Sequence, residues 1–206
     1  MDLTDPTLVA RLLEVIEHDV VPLTRAGVER GNKLFGAAVL RRSDRSVVVA
    51  ATNNEVENPL WHGEVHAIKL FHELPAAGRP APGDCLFVAT HEPCSLCLSA
   101  LAWAGFAEAS YLFSHADSAD AFAIPHDIAI LRAVYAVPDP DRAEPAPGRD
   151  LYNRSSPFLT TSDLAAAAAA TGDQALGARV AALRAVYDAL SATYQASKGG
   201  AGIPLP

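Results

Sequence analysis

Three potential metal ligands, one histidine and two cysteines, constrain this chain more than any other feature of its sequence. His62 begins an H-x-E motif, and Cys94, which lies 32 residues later, forms a P-C-x-x-C motif with Cys97. An imidazole and two thiolates fill three positions of a tetrahedral zinc. The fourth position then stays open for water, as in catalytic rather than structural zinc sites. A fold for this chain must bring the two motifs together.

The hydrophobic pattern around the two motifs predicts alternating strands and helices. Four apolar runs have the length of strands: 35–40, 47–51, 85–89 and 109–113. A polar turn between the first two predicts a hairpin. Helices are predicted at about 62–74 and 94–104, each near a proline. This order favours parallel pairing with crossover helices and places each ligand group at the front of a helix, where the partial positive charge favours thiolates.

The chain divides by composition into three predicted parts. Residues 1–136 carry the motifs and form the predicted zinc domain, 137–161 are rich in proline and acidic residues and form a linker or surface loop, and 162–206 form a helical extension. Apolar residues recur in this extension at roughly helical spacing: Leu176, Val180, Leu183, Val186, Tyr187 and Leu190. Because an isolated helix should not expose such a stripe, we expect it to pack on the body or on a dimer partner, near the active site.

Glu64 lies two residues after the histidine and gives the motif a possible proton carrier beside the metal. A redox C-x-x-C pair would make the flanking H-x-E motif a coincidence. Two other interpretations also remain open. His66 lies on the same helix face as His62 and could close a structural Cys₂His₂ site. Alternatively, Cys94 and Cys97 are core residues without a metal, as we expect for Cys85. In a closed site Glu64 would have no role, and the separation of the motifs is long for a zinc finger.

Together the motifs resemble the cytidine/deoxycytidylate deaminase superfamily, and within it the guanine deaminases and fungal-type cytosine deaminases. The resemblance covers about residues 35–130 and is carried by the segments 54–56, 58–65 and 92–97. The H-x-E and P-C-x-x-C pair is the signature of zinc-dependent nucleobase deaminases. The resemblance implies a three-layer α/β/α sandwich around a mixed five-stranded sheet, and a dimer or higher oligomer.

The resemblance also implies roles for single residues. One zinc per chain is expected on His62, Cys94 and Cys97, with Glu64 as the proton shuttle. An asparagine before the histidine is expected on the substrate. Asn54 matches that position best, and its neighbour Asn53 is the alternative.

Three further residues are candidate substrate contacts. For Phe35, the alternatives are a position in the wall of the base pocket and a position in the core. The same two alternatives apply to Trp61. Asp120 falls where the guanine deaminase branch has an acidic residue, although a solvated aspartate is the commoner meaning. The chain departs from the usual pattern with His-Gly-Glu instead of His-Ala-Glu and with Ser95 between the cysteines, where proline is common. These departures bear on the substrate rather than on the chemistry.

The composition of the chain limits the kinds of partner and substrate that we expect. The 206-residue chain has a net charge of −8 and three cysteines. Its first residues lack the pattern of a signal peptide, and no apolar stretch has the length expected of a membrane span. We expect a cytoplasmic homodimer that acts on a small aminated heterocycle and water, with no nucleic acid and no membrane. The alternatives are a tRNA adenosine or nucleoside deaminase, which the charge disfavours, and a zinc-stabilised binding protein, which leaves Glu64 unexplained.

Overall fold

A computed structural model describes residues 1–135 and 154–203 of the chain, which form one sheet between two layers of helices. The strands are β1 (Gly36–Arg41), β2 (Val47–Thr52), β3 (Cys85–His91), β4 (Glu108–Phe113) and β5 (Thr160–Asp163). The helices are α1 (Pro6–Val15), α2 (Val21–Glu29), α3 (Gly63–Glu73), α4 (Ser95–Trp103), α5 (His126–Tyr135), α6 (Leu164–Ala170) and α7 (Gln174–Ser197). Short π-helical segments, Ile16–Val20 and Asp117–Ala121, join α1 to α2 and precede α5.

The sheet is mixed, with the order β2-β1-β3-β4-β5. β1 runs antiparallel to β2 and to β3, whereas β3, β4 and β5 run parallel. The predicted hairpin is therefore confirmed. The crossover from β2 through α3 to β3 differs from the expected direct pairing, because β1 lies between these two parallel strands. Since β2 and β3 point the same way, their carboxyl ends lie at one edge of the sheet.

Alternating side chains of the strands build two separate cores, as a sheet covered on both faces requires. In β1, Ala37 and Val39 pack against α3 and α4, whereas Ala38 and Leu40 pack against α1, α2, α6 and α7. The three-layer α/β/α sandwich that the resemblance implies is confirmed. In the part of the chain that the structure describes, no helix is both long enough and apolar enough to cross a membrane.

The fifth strand lies where the sequence predicted the end of a linker and the start of an extension. β5 pairs in parallel with β4, from Thr160 opposite Glu108 to Asp163 opposite Tyr111. The side chain of Asp163 then caps α6. Of the predicted stripe on α7, four residues are buried and two are half-buried against the same core: Leu176, Leu183, Tyr187 and Leu190, then Val180 and Val186. Packing of the stripe on the body is confirmed. The division into domains stays a prediction, and most of the predicted linker lies outside the described residues.

Candidate active site

The two ligand motifs meet because each follows a strand that ends at the same edge of the sheet. His62 directly precedes α3, and Cys94 directly precedes α4. Both have an extended backbone, with ψ of 155° and 173°, so each side chain is held at the first turn of its helix. Cys97 lies one turn further into α4, on the face that returns to Cys94. The predicted helix starts, at residues 62 and 94, therefore differ from the structure by a single position.

The three donor atoms form a nearly regular triangle. Nδ1 of His62 lies 3.5 Å from Sγ of Cys94 and 3.7 Å from Sγ of Cys97, and the two sulfurs are 3.5 Å apart. Bond lengths to tetrahedral zinc imply separations of about 3.6 Å between nitrogen and sulfur and about 3.8 Å between two sulfurs. The cluster fits a single zinc site with Nδ1 as the histidine ligand.

The electrostatics of the two thiols also favour a cation between them. The hydrogen bond between the sulfurs, together with the one to His62, holds the pKa of Cys94 well below its usual range. Burial, and then the hydrogen bond to Cys94 and its negative charge, raise the pKa of Cys97 well above its usual range. A divalent cation stabilises both thiolates at once, because ligand thiols bind metals in the deprotonated form.

His66 does not join this cluster. Its Nδ1 lies 2.8 Å from the carbonyl oxygen of Thr52 on β2, so the ring is directed at the sheet. Among the residues that the structure describes, the one group of histidine, cysteine or acidic side chains at metal-ligand spacing is His62, Cys94 and Cys97. The closed Cys₂His₂ site is therefore not formed. Cys85 is buried on β3, away from the cluster, as expected for a strand residue.

Glu64 lies in the first turn of α3, directly beside the donors. Its side chain is almost completely buried, and its Oε2 accepts a hydrogen bond of 3.3 Å from Sγ of Cys97. Burial, and then the charge of Cys94, raise the pKa of Glu64 to about 7. A carboxyl group with a pKa near neutrality can both accept and return a proton at physiological pH.

His62 and Cys94 open onto a cavity of about 230 Å³. Its apolar wall comes from several segments: Phe35, Pro59, Leu60, Leu96, Ile124, Ile130 and Ile203. The other lining residues are polar or charged: Lys33, Glu55, Ser95, His126 and Asp127. An apolar cavity with a few convergent polar groups is the usual form of a small-molecule site.

The structure brings only one of the predicted substrate contacts, Phe35, to the cavity wall. Asn53 is fully buried behind it, where its Oδ1 accepts a hydrogen bond from the backbone N–H of Gly63 and its Nδ2 donates to Oε2 of Glu55 at 2.7 Å. Asn54 is half-buried and donates to the exposed Glu57 instead. Neither asparagine lines the cavity, so a substrate contact for either stays a prediction.

Trp61 and Asp120 also lie outside the cavity lining. Trp61 is half-buried, with Nζ of Lys69 6.0 Å from the centre of its ring. Asp120 is exposed on the π-helical segment before α5. The aspartate that does line the cavity is Asp127, in the first turn of α5. Burial, and then the charge of Cys94, raise the pKa of Asp127 to about 7.

Sequence reasoning missed three charged residues of this cavity, namely Lys33, Glu55 and Asp127. Lys33 and Glu55 form a buried ion pair with a distance of 2.9 Å. The one feature of the sequence that could have indicated Lys33 is its position directly before an apolar strand. Such a residue is usually at the surface, so its burial could be known only from the position of Glu55, 22 residues later.

The fold and the donor triangle define an α/β domain with a site that fits zinc. Residues 15–113, just under half of the chain, match the family described as the cytidine and deoxycytidylate deaminase zinc-binding region. Guanine deaminase of Bacillus subtilis (strain 168) is 32% identical over 104 residues. The match covers 49% of this chain and 64% of that enzyme, which is less than two thirds of its length.

Two solved structures share the fold. Guanine deaminase from Nitrosomonas europaea superposes with a TM-score of 0.52 at 21% identity, covering 89% of this chain and 84% of that one. Guanine deaminase from Bacillus subtilis superposes with a TM-score of 0.51 at 28% identity, covering 67% and 85%. The predicted resemblance to the guanine deaminase branch is confirmed.

Proposed function

We propose that this chain is a zinc-dependent hydrolase that deaminates a small aromatic heterocycle. The reaction replaces an exocyclic amine by oxygen, consumes one water and releases one ammonia. The observation that carries the proposal is Glu64, buried at hydrogen-bond distance from one of three donors whose triangle fits zinc. When bound, zinc would lower the pKa of a water molecule and so supply the nucleophile.

Within this proposal the protein residues have distinct roles. His62, Cys94 and Cys97 would hold the metal, and three protein ligands would leave room for a water molecule. Glu64 accepts a proton from the attacking water and returns it to the ring, and later assists the departure of ammonia. Its raised pKa suits a group that must take up and release a proton in each turnover.

The cavity favours a free base as the substrate. Its volume of about 230 Å³ is below the range of about 300–1,000 Å³ that is typical for drug-sized ligands. Apolar side chains can cover both faces of a flat ring, and the Asp127 carboxyl can accept an N–H group at its edge. The guanine deaminases among the relatives support a purine, although cytosine-type rings also fit this description.

Charged substrates are disfavoured by the same cavity. Among the described residues that line it, Lys33 is the only lysine or arginine, and Glu55 neutralises it. A nucleotide phosphate would therefore meet no unpaired cation. The net charge of −8 likewise disfavours a tRNA substrate, because binding to phosphates depends on lysine and arginine.

We also propose that the protein acts as a homodimer in the cytoplasm. Support for the dimer comes from Trp103 on α4, which is 92% exposed, because tryptophan is enriched at protein interfaces relative to the rest of the surface. A reducing compartment suits two cysteines that must stay thiolates. Sedimentation equilibrium of the zinc-loaded protein should give twice the mass of the chain, and Trp103→Glu should shift it to the monomer.

The test of the activity is ammonia release from a panel of aminated bases and nucleosides by zinc-loaded protein. We expect turnover of at least one free base. Glu64→Gln should keep one zinc per chain and the fold, yet lose turnover by about 10²-fold or more. Cys85→Ser is the matched control and should keep both zinc and turnover. A zinc-loaded protein that releases no ammonia from any member would favour the zinc-stabilised binding protein instead.

A further inference from the structure

The ammonium group of Lys33 is buried beside the candidate zinc site. The side chain is 6% exposed and lines the same cavity as His62 and Cys94. Nζ donates to Oε1 of Glu55 at 2.9 Å, and the Glu55 side chain is only 2% exposed. Burying a lysine and a glutamate is costly even when they are paired, so the fold keeps this ion pair against a considerable desolvation penalty.

The carboxylate of this pair is surrounded by donors. Oε2 of Glu55 accepts from Nδ2 of Asn53 at 2.7 Å, and Oε1 accepts from Lys33 and lies 3.7 Å from Nε2 of His62. These contacts satisfy the Glu55 carboxylate without any ligand in the cavity. They also direct Nε2 of His62 towards a carboxylate, which leaves Nδ1 for the metal.

The ammonium group of Lys33, in contrast, has N–H donors that Glu55 does not use. An ammonium group has three N–H donors. Over residues 1–135 and 154–203, Glu55 is the one acceptor that the structure places at Lys33. The remaining N–H groups are shielded from bulk water by the burial of the side chain. An acceptor that enters the cavity would satisfy them, and its loss would leave a buried charged donor unpaired.

We propose that Lys33 donates a hydrogen bond to a carbonyl oxygen of the substrate ring, so that the substrates are oxo-substituted aminoheterocycles. This inference rests on the proposed function and narrows its substrate class. A carbonyl oxygen offers two lone pairs, which match the unpaired N–H groups of Lys33. Asp127 lines the same cavity, and its carboxyl can accept the ring N–H that adjoins the carbonyl in a lactam. A charged carboxylate or phosphate is not required, because Glu55 already balances the ammonium.

Matched ligands that differ by one carbonyl group test this directly. Guanine is compared with 2-aminopurine, and cytosine with 4-aminopyrimidine. Binding is measured by calorimetry on zinc-loaded Glu64→Gln protein, which does not turn the ligands over. In at least one pair, the oxo compound should bind on the order of 10²-fold more tightly than its partner, since a hydrogen bond to a charged donor contributes that much. Lys33→Met in the same background should reduce the ratio to below about threefold.

Two further variants separate substrate recognition from stability. Lys33→Met/Glu55→Gln removes both charges, so the ratio stays measurable if the single variant does not fold. Lys69→Met removes a half-buried lysine that pairs with Glu73 outside the cavity lining, and it should leave the ratio unchanged. Zinc content is measured on every variant and should stay at one per chain for Lys33→Met.

The proposal is overturned if neither oxo compound binds more tightly than its partner. It is also overturned if Lys33→Met weakens both members of a pair equally or strips the zinc, because the ion pair would then serve only to hold His62. Ammonia release is measured separately on the protein with Glu64 intact. If the protein prefers the oxo compounds but releases no ammonia, the deaminase proposal is wrong and the role of Lys33 stands. If it releases ammonia but shows no preference for the oxo compounds, the role of Lys33 is wrong and the deaminase proposal stands.

Discussion

Replacing Gly63 by alanine should weaken both the fold and the zinc site, because residue 63 has no room for a side chain. A Cβ there would lie 2.8 Å from Cα of Gly36, 2.9 Å from N of Gly36 and 2.9 Å from O of Phe35. All three are backbone atoms of β1 or its leading residue, so no side chain can rotate out of the way. This close approach explains why residue 63 is a glycine.

The size of the effect follows from these distances. Ordinary contact begins at 3.4 Å, so α3 would have to retreat from β1 by about 0.5 Å, and overpacking of this kind costs about 1–3 kcal/mol. Alanine returns up to about 1 kcal/mol through its higher helix propensity. A net loss of about 1–2 kcal/mol is expected. His62 would move with the helix, and zinc affinity should fall by about 10- to 100-fold, as when the groups that orient a ligand are disturbed.

Urea unfolding of the metal-free protein and zinc titration against a competing chelator measure the two effects. Gly177→Ala is the matched control. Gly177 lies in α7, and a Cβ added to it would have no neighbouring atom within 4 Å, so the same substitution should stabilise by up to about 1 kcal/mol. Close packing of α3 on β1 is refuted if Gly63→Ala unfolds at the urea concentration of the parent and binds zinc as tightly.

Three further perturbations probe the ligands, the cavity and the tail. Cys94→Ser or Cys97→Ser should lose most of the zinc measured by mass spectrometry, whereas Cys85→Ser should keep it; loss in Cys85→Ser would mean a wrong ligand set. The pKa of Asp127 is raised from 3.8 to about 7, so the folded protein holds a proton there that the unfolded chain has lost. Stability of metal-free protein should therefore fall as the pH rises from 4 to 7, and Asp127→Asn should fall less; identical pH profiles would contradict this. Truncation before residue 198 removes Ile203 from the cavity wall. It should weaken binding of the base by about tenfold while zinc stays bound, and an unchanged affinity for the base would exclude a role for the tail.

The metal ligands could be predicted from the sequence because their chemistry depends on residue type and local order. The strand that precedes each motif is strongly apolar, and each helix begins within one residue of the predicted position. Two parallel strands then bring His62 and Cys94 to one edge of the sheet without further information. Glu64 follows from the same local geometry, since it lies in the first turn of α3.

The cavity could not be predicted in the same way, because its walls come from segments that are distant in sequence. The choice between Asp120 and Asp127 depends on the path of the chain between β4 and α5. A π-helical segment leaves Asp120 exposed, and only the next turn directs Asp127 into the cavity. Resemblance indicated an acidic residue in this region, but not which aspartate reaches the site.

The C-terminal part of the chain shows the same limit, and it also shows how the tail becomes part of the site. β5 is a run of four polar residues, Thr-Thr-Ser-Asp, and only its pairing with β4 makes it a strand. Near the end of α7, Ser191 and Gln195 donate to the carbonyl oxygen of Phe122 at 3.2 and 2.9 Å. The segment before α5 is thereby fixed to α7, and the chain beyond α7 returns to place Ile203 in the cavity wall. Because one helix holds two parts of that wall, the residues that follow β5 shape the cavity as directly as the residues that precede it.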